Sequence, residues 1–260
     1  MRRNYGWWVR GRYHAELAVT SIASVRKADP GASCSVMVDL SGGDHLDLFE
    51  GQAGGFAADF GHMAPMLANL EAIWQLLATV AYGEELVMLD TDTIALRPVA
   101  LLDEASLAVT WRDHVRKTEE GEKLAGVAAQ MPYNFGVIAF RADRYALEAA
   151  LWMRERVRRL CGRWRTWYGN QIALAELLGP APAARDRVDV GLPWSLTEYG
   201  GAVHVNRHPC EEWNYTPAGA GEDIAGRGVL HFKGHARALM GPYAEALGLP
   251  WRGPEQEKAA

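Results

Sequence analysis

A chain of 260 residues, 49% hydrophobic and 23% charged, is long enough to bury a sizeable core and excludes a disordered or fibrous protein. Its formal net charge of -5 excludes a surface that is basic all over and binds polyanions, leaving only local basic patches for such a role. Three widely spaced cysteines, Cys34, Cys161 and Cys210, form neither a disulfide framework nor a zinc knuckle, which points to a reducing, cytoplasmic setting.

The apolar run Tyr5 to Val9 ends at Gly11 and predicts a first strand, with a helical pattern following from His14 to about Lys27. Ser35 to Asp39 predicts a second strand between Pro30-Gly31 and Ser41-Gly42-Gly43, and a Gly-rich loop region follows from Gly51 to Gly61. Met66, Leu70, Ile73, Trp74, Leu77 and Ala81 recur at helical spacing up to Gly83, which is expected to end that helix. The region Ala64 to Tyr82 is apolar, but Asn69, Glu71 and Gln75 within it indicate a buried helix and not a membrane span.

Glu85 to Leu89 reads as a fully buried parallel strand ending at Asp90-Thr91-Asp92. Three βα units in the first hundred residues imply a doubly wound α/β sheet, whose ligands bind beyond the carboxyl ends of the strands. Strands are expected near Ser106 to Trp111 and Gly136 to Phe140, a helix from about Arg144 to Leu160, a shorter helix after Asn170, and a last apolar strand at Val229 to Phe232. No linker divides the chain, so one domain covering residues 1-260 is expected.

Two carboxylates at i and i+2 past a buried strand can share one hard divalent cation, although the same pattern also occurs as a solvated turn. The segment Leu86-Val87-Met88-Leu89-Asp90-Thr91-Asp92-Thr93-Ile94 resembles the DxD segment of GT-A fold glycosyltransferases, most of all the retaining family 8 type that includes glycogenin and bacterial lipopolysaccharide galactosyltransferases. Three further segments match in order. Tyr133-Asn134-Phe135-Gly136-Val137 is similar to the F-N-S/A-G segment, Asn170-Gln171 to the D-Q segment, and His231-Phe232-Lys233-Gly234-His235-Ala236-Arg237 to the H-x-x-G-x-x-K segment.

The resemblance implies a GT-A (Rossmann-like) fold with a mixed, mostly parallel sheet flanked by helices, and transfer of a sugar from a nucleoside-diphosphate sugar to an acceptor hydroxyl with retention. It implies Mn²⁺ or Mg²⁺ on Asp90, Asp92 and His231, and donor-phosphate contacts from Lys233, Gly234 and Arg237. Asn134 is expected on sugar hydroxyls and Gln171 near the reacting carbon. Asn170 stands where the family has Asp and cannot act as a carboxylate. Tyr13 falls where a ring stacks on the nucleobase, with a core role equally open. Arg10 and Arg12 replace the residues that usually contact uracil, so another base is possible. Asp39 is placed either to contact the nucleoside or to hold a turn. No matched segment supplies a general base, although Asp113, Glu198 or Glu211 could reach a site.

From Arg154 to Arg165 there are six arginines and one glutamate, interleaved with Trp164 and followed by Trp167. One reading is a solvated helix face over an apolar stripe of Leu147, Leu151, Val157 and Cys161. The other is a platform for a polyanionic acceptor: a lipid-linked glycan, a polysaccharide, or DNA with a hydroxymethylated base. Two competing functions share some of these features, a sugar-phosphate nucleotidyltransferase and a non-catalytic glycan- or nucleic-acid-binding module. Gly11-Arg12-Tyr13 is too short for the phosphate loop of the former.

Overall fold

A computed structural model describes residues 2–112, 131–192, 202–251 and 253. In chain order the strands are β1 (Arg3–Arg10), β2 (Ser33–Asp39), β3 (Gly54–Ala58), β4 (Glu85–Leu89), β5 (Thr93–Ala95), β6 (Leu107–Trp111), β7 (Tyr133–Arg141), β8 (Asp186–Gly191), β9 (Ala202–Pro209) and β10 (Val229–His231). The helices are α1 (Arg12–Ala28), α2 (Pro65–Thr79), α3 (Arg144–Arg159), α4 (Arg163–Thr166), α5 (Gly169–Leu178), α6 (Cys210–Trp213) and α7 (Met240–Ala246). An eight-stranded mixed sheet has the order β3-β2-β1-β4-β7-β6-β9-β8, and β5 and β10 form a second sheet of two strands.

The described chain comprises two compact units, each built from non-contiguous segments. The first holds residues 62–86 and 100–210, the second residues 2–61, 87–99 and 211 onward. In the second unit β1 pairs in parallel with β2, and β2 with β3. Helix α1 follows β1 after Gly11, whose φ of 81° suits a residue without a Cβ. Trp7, Tyr5, Leu17 and Ile22 are among its fully buried side chains, and Trp7 Nε1 donates to Ser21 Oγ on α1 at 2.9 Å.

In the first unit β6 pairs antiparallel with β7 and parallel with β9, and β8 runs antiparallel to β9. Helix α3 starts at Asp143, whose carboxylate accepts from Ala146 N at 2.8 Å, a side-chain N-cap. Leu70, Ile73, Leu76 and Leu77 of α2, Phe140 of β7 and Ile172 of α5 are fully buried.

The structure corrects the sequence reading in three places. Residues 54–58, expected as loop, form the edge strand β3, because backbone pairing with β2 overrides the low strand preference of glycine. Helix α2 ends at Thr79 and not at Gly83, which sits in the following turn with φ 84°. The expected last strand is present as β10, paired antiparallel with β5. The buried stripe of α3 is Ala146, Ala149, Ala150, Met153 and Val157, since small side chains permit close packing, while Leu147 and Leu151 are half-buried and Cys161 is exposed. Among the described residues no helix is long and apolar enough to cross a membrane.

Candidate active site

All five residues of β4 are buried, so the first side chain able to reach solvent is Asp90. The chain then turns through Thr91 and Asp92 into β5, held by a hydrogen bond from Thr93 Oγ1 to the Asp90 carbonyl at 2.8 Å. Pairing of β5 with β10 puts His231 opposite Thr93. Two backbone bonds lock the corner: Phe232 N donates to the Asp92 carbonyl at 2.8 Å and His231 N to the Tyr215 carbonyl at 2.7 Å.

His231 Nε2 thereby lies 3.1 Å from Asp92 Oδ1 and 3.3 Å from Asp90 Oδ2. One potential ligand atom from each of these residues fits in a group spanning no more than 4.8 Å. The other ring nitrogen, Nδ1, donates to Asn214 Oδ1 at 2.7 Å, and Asn214 is 1% exposed. With Nδ1 carrying the proton, the Nε2 lone pair faces two carboxylates. Three convergent acceptors require a cation or an additional proton among them, and two carboxylates with one imidazole fit Mn²⁺ or Mg²⁺.

Arg237 completes the corner by donating from Nε to Asp92 Oδ2 at 2.8 Å. Burial opposes ionisation of Asp92, but the nearby His231 and Arg237 outweigh it and hold the carboxyl well below the usual carboxylate range. The Asp90 carboxyl is pushed upward, by desolvation first, while His231 acts in the opposite sense and Asp92 adds to the rise. Because 45% of the Asp90 side chain still meets solvent, water moderates that rise.

Tyr13, half-buried at the start of α1, has the Arg237 guanidinium 6.0 Å from its ring centroid. The next residue, His14, meets Thr91 Oγ1 through Nδ1 at 3.1 Å. Lys233 and Gly234 begin the 3₁₀ turn Gly234–Leu239 that carries Arg237. Gly234 has φ 53°, and a Cβ there would enter open space, so the glycine answers a backbone requirement and not crowding.

Asp39 is fully buried. Its Oδ1 accepts from Ser41 N, Ser41 Oγ and Phe60 N, and its Oδ2 from Arg10 Nε at 2.5 Å. Desolvation works against its charge, but the Ser41 and Arg10 bonds prevail and lower the pKa. Arg12 is exposed and pairs with Glu16 one helical turn on.

Asn134, Asn170 and Gln171 belong to the first unit. The sheet register shifts between Val109 and Thr110, and Asn134 of β7 then stands opposite Thr110. Its Oδ1 accepts from Gly136 N at 2.9 Å, and the residue is buried. Asn170 and Gln171 open α5 behind Tyr168, which holds a left-handed backbone (φ 66°). Asn170 Oδ1 accepts from Gln171 N at 2.8 Å, and Gln171 Oε1 accepts from Arg112 Nη2 at 3.4 Å.

In the arginine-rich segment Arg154 pairs with Glu71 of α2, Arg156 with Glu176 of α5 and Arg158 with Glu155 of its own helix. Trp167 is 63% exposed and Trp164 half-buried. Asp113 and Glu198 lie outside the described residues, and Glu211 is exposed on α6. Asn214 and Arg112 were missed by the sequence reading. Asn214 lies in no matched segment, and Arg112 carried only the weak signal of a charge at the end of an apolar strand.

No protein-family model matches the chain, and no curated protein matches it. Solved structures do. The galactosyltransferase LgtC, in complex with donor and acceptor sugar analogues, matches with a TM-score of 0.53 at 13% identity, over 93% of this chain and 95% of that one. An active-site mutant of LgtC matches at 0.50 and 13%, over 96% and 99%. The apo bifunctional glycosyltransferase WbbM matches at 0.57 and 12%, over 96% of this chain and 50% of that one, so this chain spans half the length of WbbM. The fold is the GT-A glycosyltransferase fold.

Proposed function

We propose that the chain is a metal-dependent glycosyltransferase that moves a sugar from a nucleoside-diphosphate sugar to an acceptor hydroxyl. The observation that carries this reading is the convergence of Asp90, Asp92 and His231 at the end of β4, with Asn214 orienting the imidazole. The same fold in LgtC, crystallised with donor and acceptor sugar analogues, supports the donor class.

In this reading Asp90, Asp92 and His231 hold Mn²⁺ or Mg²⁺, which would neutralise the diphosphate as it departs. Arg237 and Lys233 donate to the same phosphate oxygens, and the Gly234 backbone lies alongside them. Tyr13 stacks on the nucleobase, while the buried carboxylate of Asp39 fixes the Arg10 guanidinium, which contacts the base edge. Gln171 and Asn134 hydrogen-bond the transferred sugar and Asn170 braces Gln171. No matched segment supplies a carboxylate as general base, which favours transfer with retention. The acceptor meets the exposed arginine and tryptophan face near Trp167, where a polyanionic glycan or hydroxymethylated DNA would be bound, and the enzyme acts in the cytoplasm.

A panel of nucleotide sugars incubated with Mn²⁺ tests the reading, with release of nucleoside diphosphate as the signal. One donor should be turned over, and the anomeric configuration of its product, read by NMR, should match the donor. Absence of both turnover and any thermal shift with every nucleotide plus Mn²⁺ would overturn it.

A further inference from the structure

Arg112 follows β6 in the unit that carries Asn134 and Gln171. Its backbone N–H still donates to the Pro132 carbonyl at 3.0 Å, so the backbone there is fixed. The guanidinium makes two long hydrogen bonds, both 3.4 Å from Nη2, to the Met131 carbonyl and to Gln171 Oε1. Both acceptors are neutral. The Nε–H is buried and has no partner. Among the described residues no carboxylate pairs with Arg112, whereas Arg154, Arg156 and Arg207 of the same unit each meet one.

A half-buried guanidinium with only neutral partners among the described residues, and with its buried Nε–H unsatisfied, is an unfavourable arrangement that calls for an explanation. The described neighbouring groups do not supply a counter-charge. Asn134 lies opposite Thr110, and alternation along β6 puts Thr110 and Arg112 on the same face. Since Asn134 Oδ1 is engaged by Gly136 N, its amide NH₂ is the group left to give. This face therefore offers donors. The backbone around it is also held in costly conformations, with Met131 at φ 40°, Tyr168 at φ 66° and a bulge between Val109 and Thr110, features that gather at binding sites. Trp111 Nε1 is likewise buried without a partner, but alternation turns it to the opposite face.

We infer that Arg112, with Asn134 and Gln171, forms a subsite for a sugar that bears a carboxylate. The planar guanidinium matches a carboxylate in two-point contact, and the acid supplies the counter-charge that the described protein residues lack. That the ligand is a sugar rests on the glycosyltransferase reading; that it is an anion rests on Arg112.

The test titrates the full chain, with Mn²⁺ present, against sodium glucuronate and galacturonate, using ligand-observed NMR. Glucose and galactose serve as neutral twins, and glucose 6-phosphate as the phosphate arm. The acids should bind about 10- to 100-fold more tightly than their neutral twins, the span expected for a charge-assisted pair. Arg112→Gln should erase that preference, and Arg112→Lys, which keeps the charge but loses the planar fork, should retain part of it. Equal binding of acid and neutral sugar, a preference that survives in Arg112→Gln, or tighter binding of the phosphate than of the acids would each overturn the proposal. If Arg112→Gln fails to fold, the Lys variant carries the same comparison. A thermal shift of the wild type with nucleoside diphosphate and Mn²⁺ separates the two failures: its presence with no acid preference sinks only the subsite, and its absence sinks the donor reading beneath it.

Discussion

The corner around Asp92 and the corner around Gln171 are both polar and largely buried, yet they are completed differently. At Asp92 the charges are matched: His231 and Arg237 face the carboxylates, and Asn214 fixes the imidazole from behind. At Gln171 the Arg112 guanidinium makes only long contacts and its Nε–H is unsatisfied, with Tyr168 and Met131 in strained backbone. A site that takes a small hard cation can be preassembled, since its ligands already attract one another through protons and arginine. In the proposed reading the Gln171 corner keeps donors in reserve and is completed by its sugar ligand.

Four substitutions would break or sharpen that contrast. The largest effect is expected for Asp92→Ala, which removes the partner of both His231 and Arg237. Mn²⁺ binding, followed by the electron paramagnetic resonance of the free ion, should fall by more than the ~10- to 100-fold typical of losing an outer-sphere partner, and turnover should vanish. Asn214→Ala comes next, with Mn²⁺ affinity reduced ~10- to 100-fold because the imidazole loses its fixed tautomer. An unchanged affinity there would mean that the metal corner is not preassembled.

Gly169→Ala probes the other corner. A Cβ at Gly169 would sit 2.6 Å from the Trp164 carbonyl oxygen, so the start of α5 must shift, at a cost of about 1–3 kcal/mol in denaturant unfolding. Turnover should fall while Mn²⁺ affinity holds, and parallel loss of both would erase the distinction between the corners. The smallest effect is expected in the acid limb of stability. The Asp39 pKa is depressed on folding, so its ionisation adds stability above the unfolded-state value of about 4, and that stability is lost as pH falls through the lower folded value. Asp39→Asn should flatten the stability profile below about pH 4.

The Asp90 and Asp92 pair alone was ambiguous with a solvated turn, and its reading as part of a site rested on the ordered segments that resemble the glycosyltransferase family. His231 could be read only through the spacing of His231, Gly234 and Arg237. Asn214 was invisible, because an asparagine far from any motif becomes an orienting group only once β10 docks on β5. Helix α3 was placed correctly, but its buried stripe was not, since alanines carry little hydrophobic signal and still pack closely. The strands β5, β8 and β9 escaped notice, β5 by its length of three residues and β8 by alternating exposure along an edge strand. Strand β3 was hidden by its glycines.

The small sheet of β5 and β10 has a consequence for how the protein is made. Arg237 and Asp92 are 145 residues apart in sequence, and the histidine that faces Asp92 arrives only with β10. During synthesis the Asp90-Thr91-Asp92 turn emerges long before its partners, so a nascent chain has two carboxylates but not the complete group with His231. Closing so long a loop is slow and comes late in folding. Metal uptake should therefore report the final folding event, and a chain cut before Asn214 would keep the acidic pair yet gain no thermal protection from Mn²⁺.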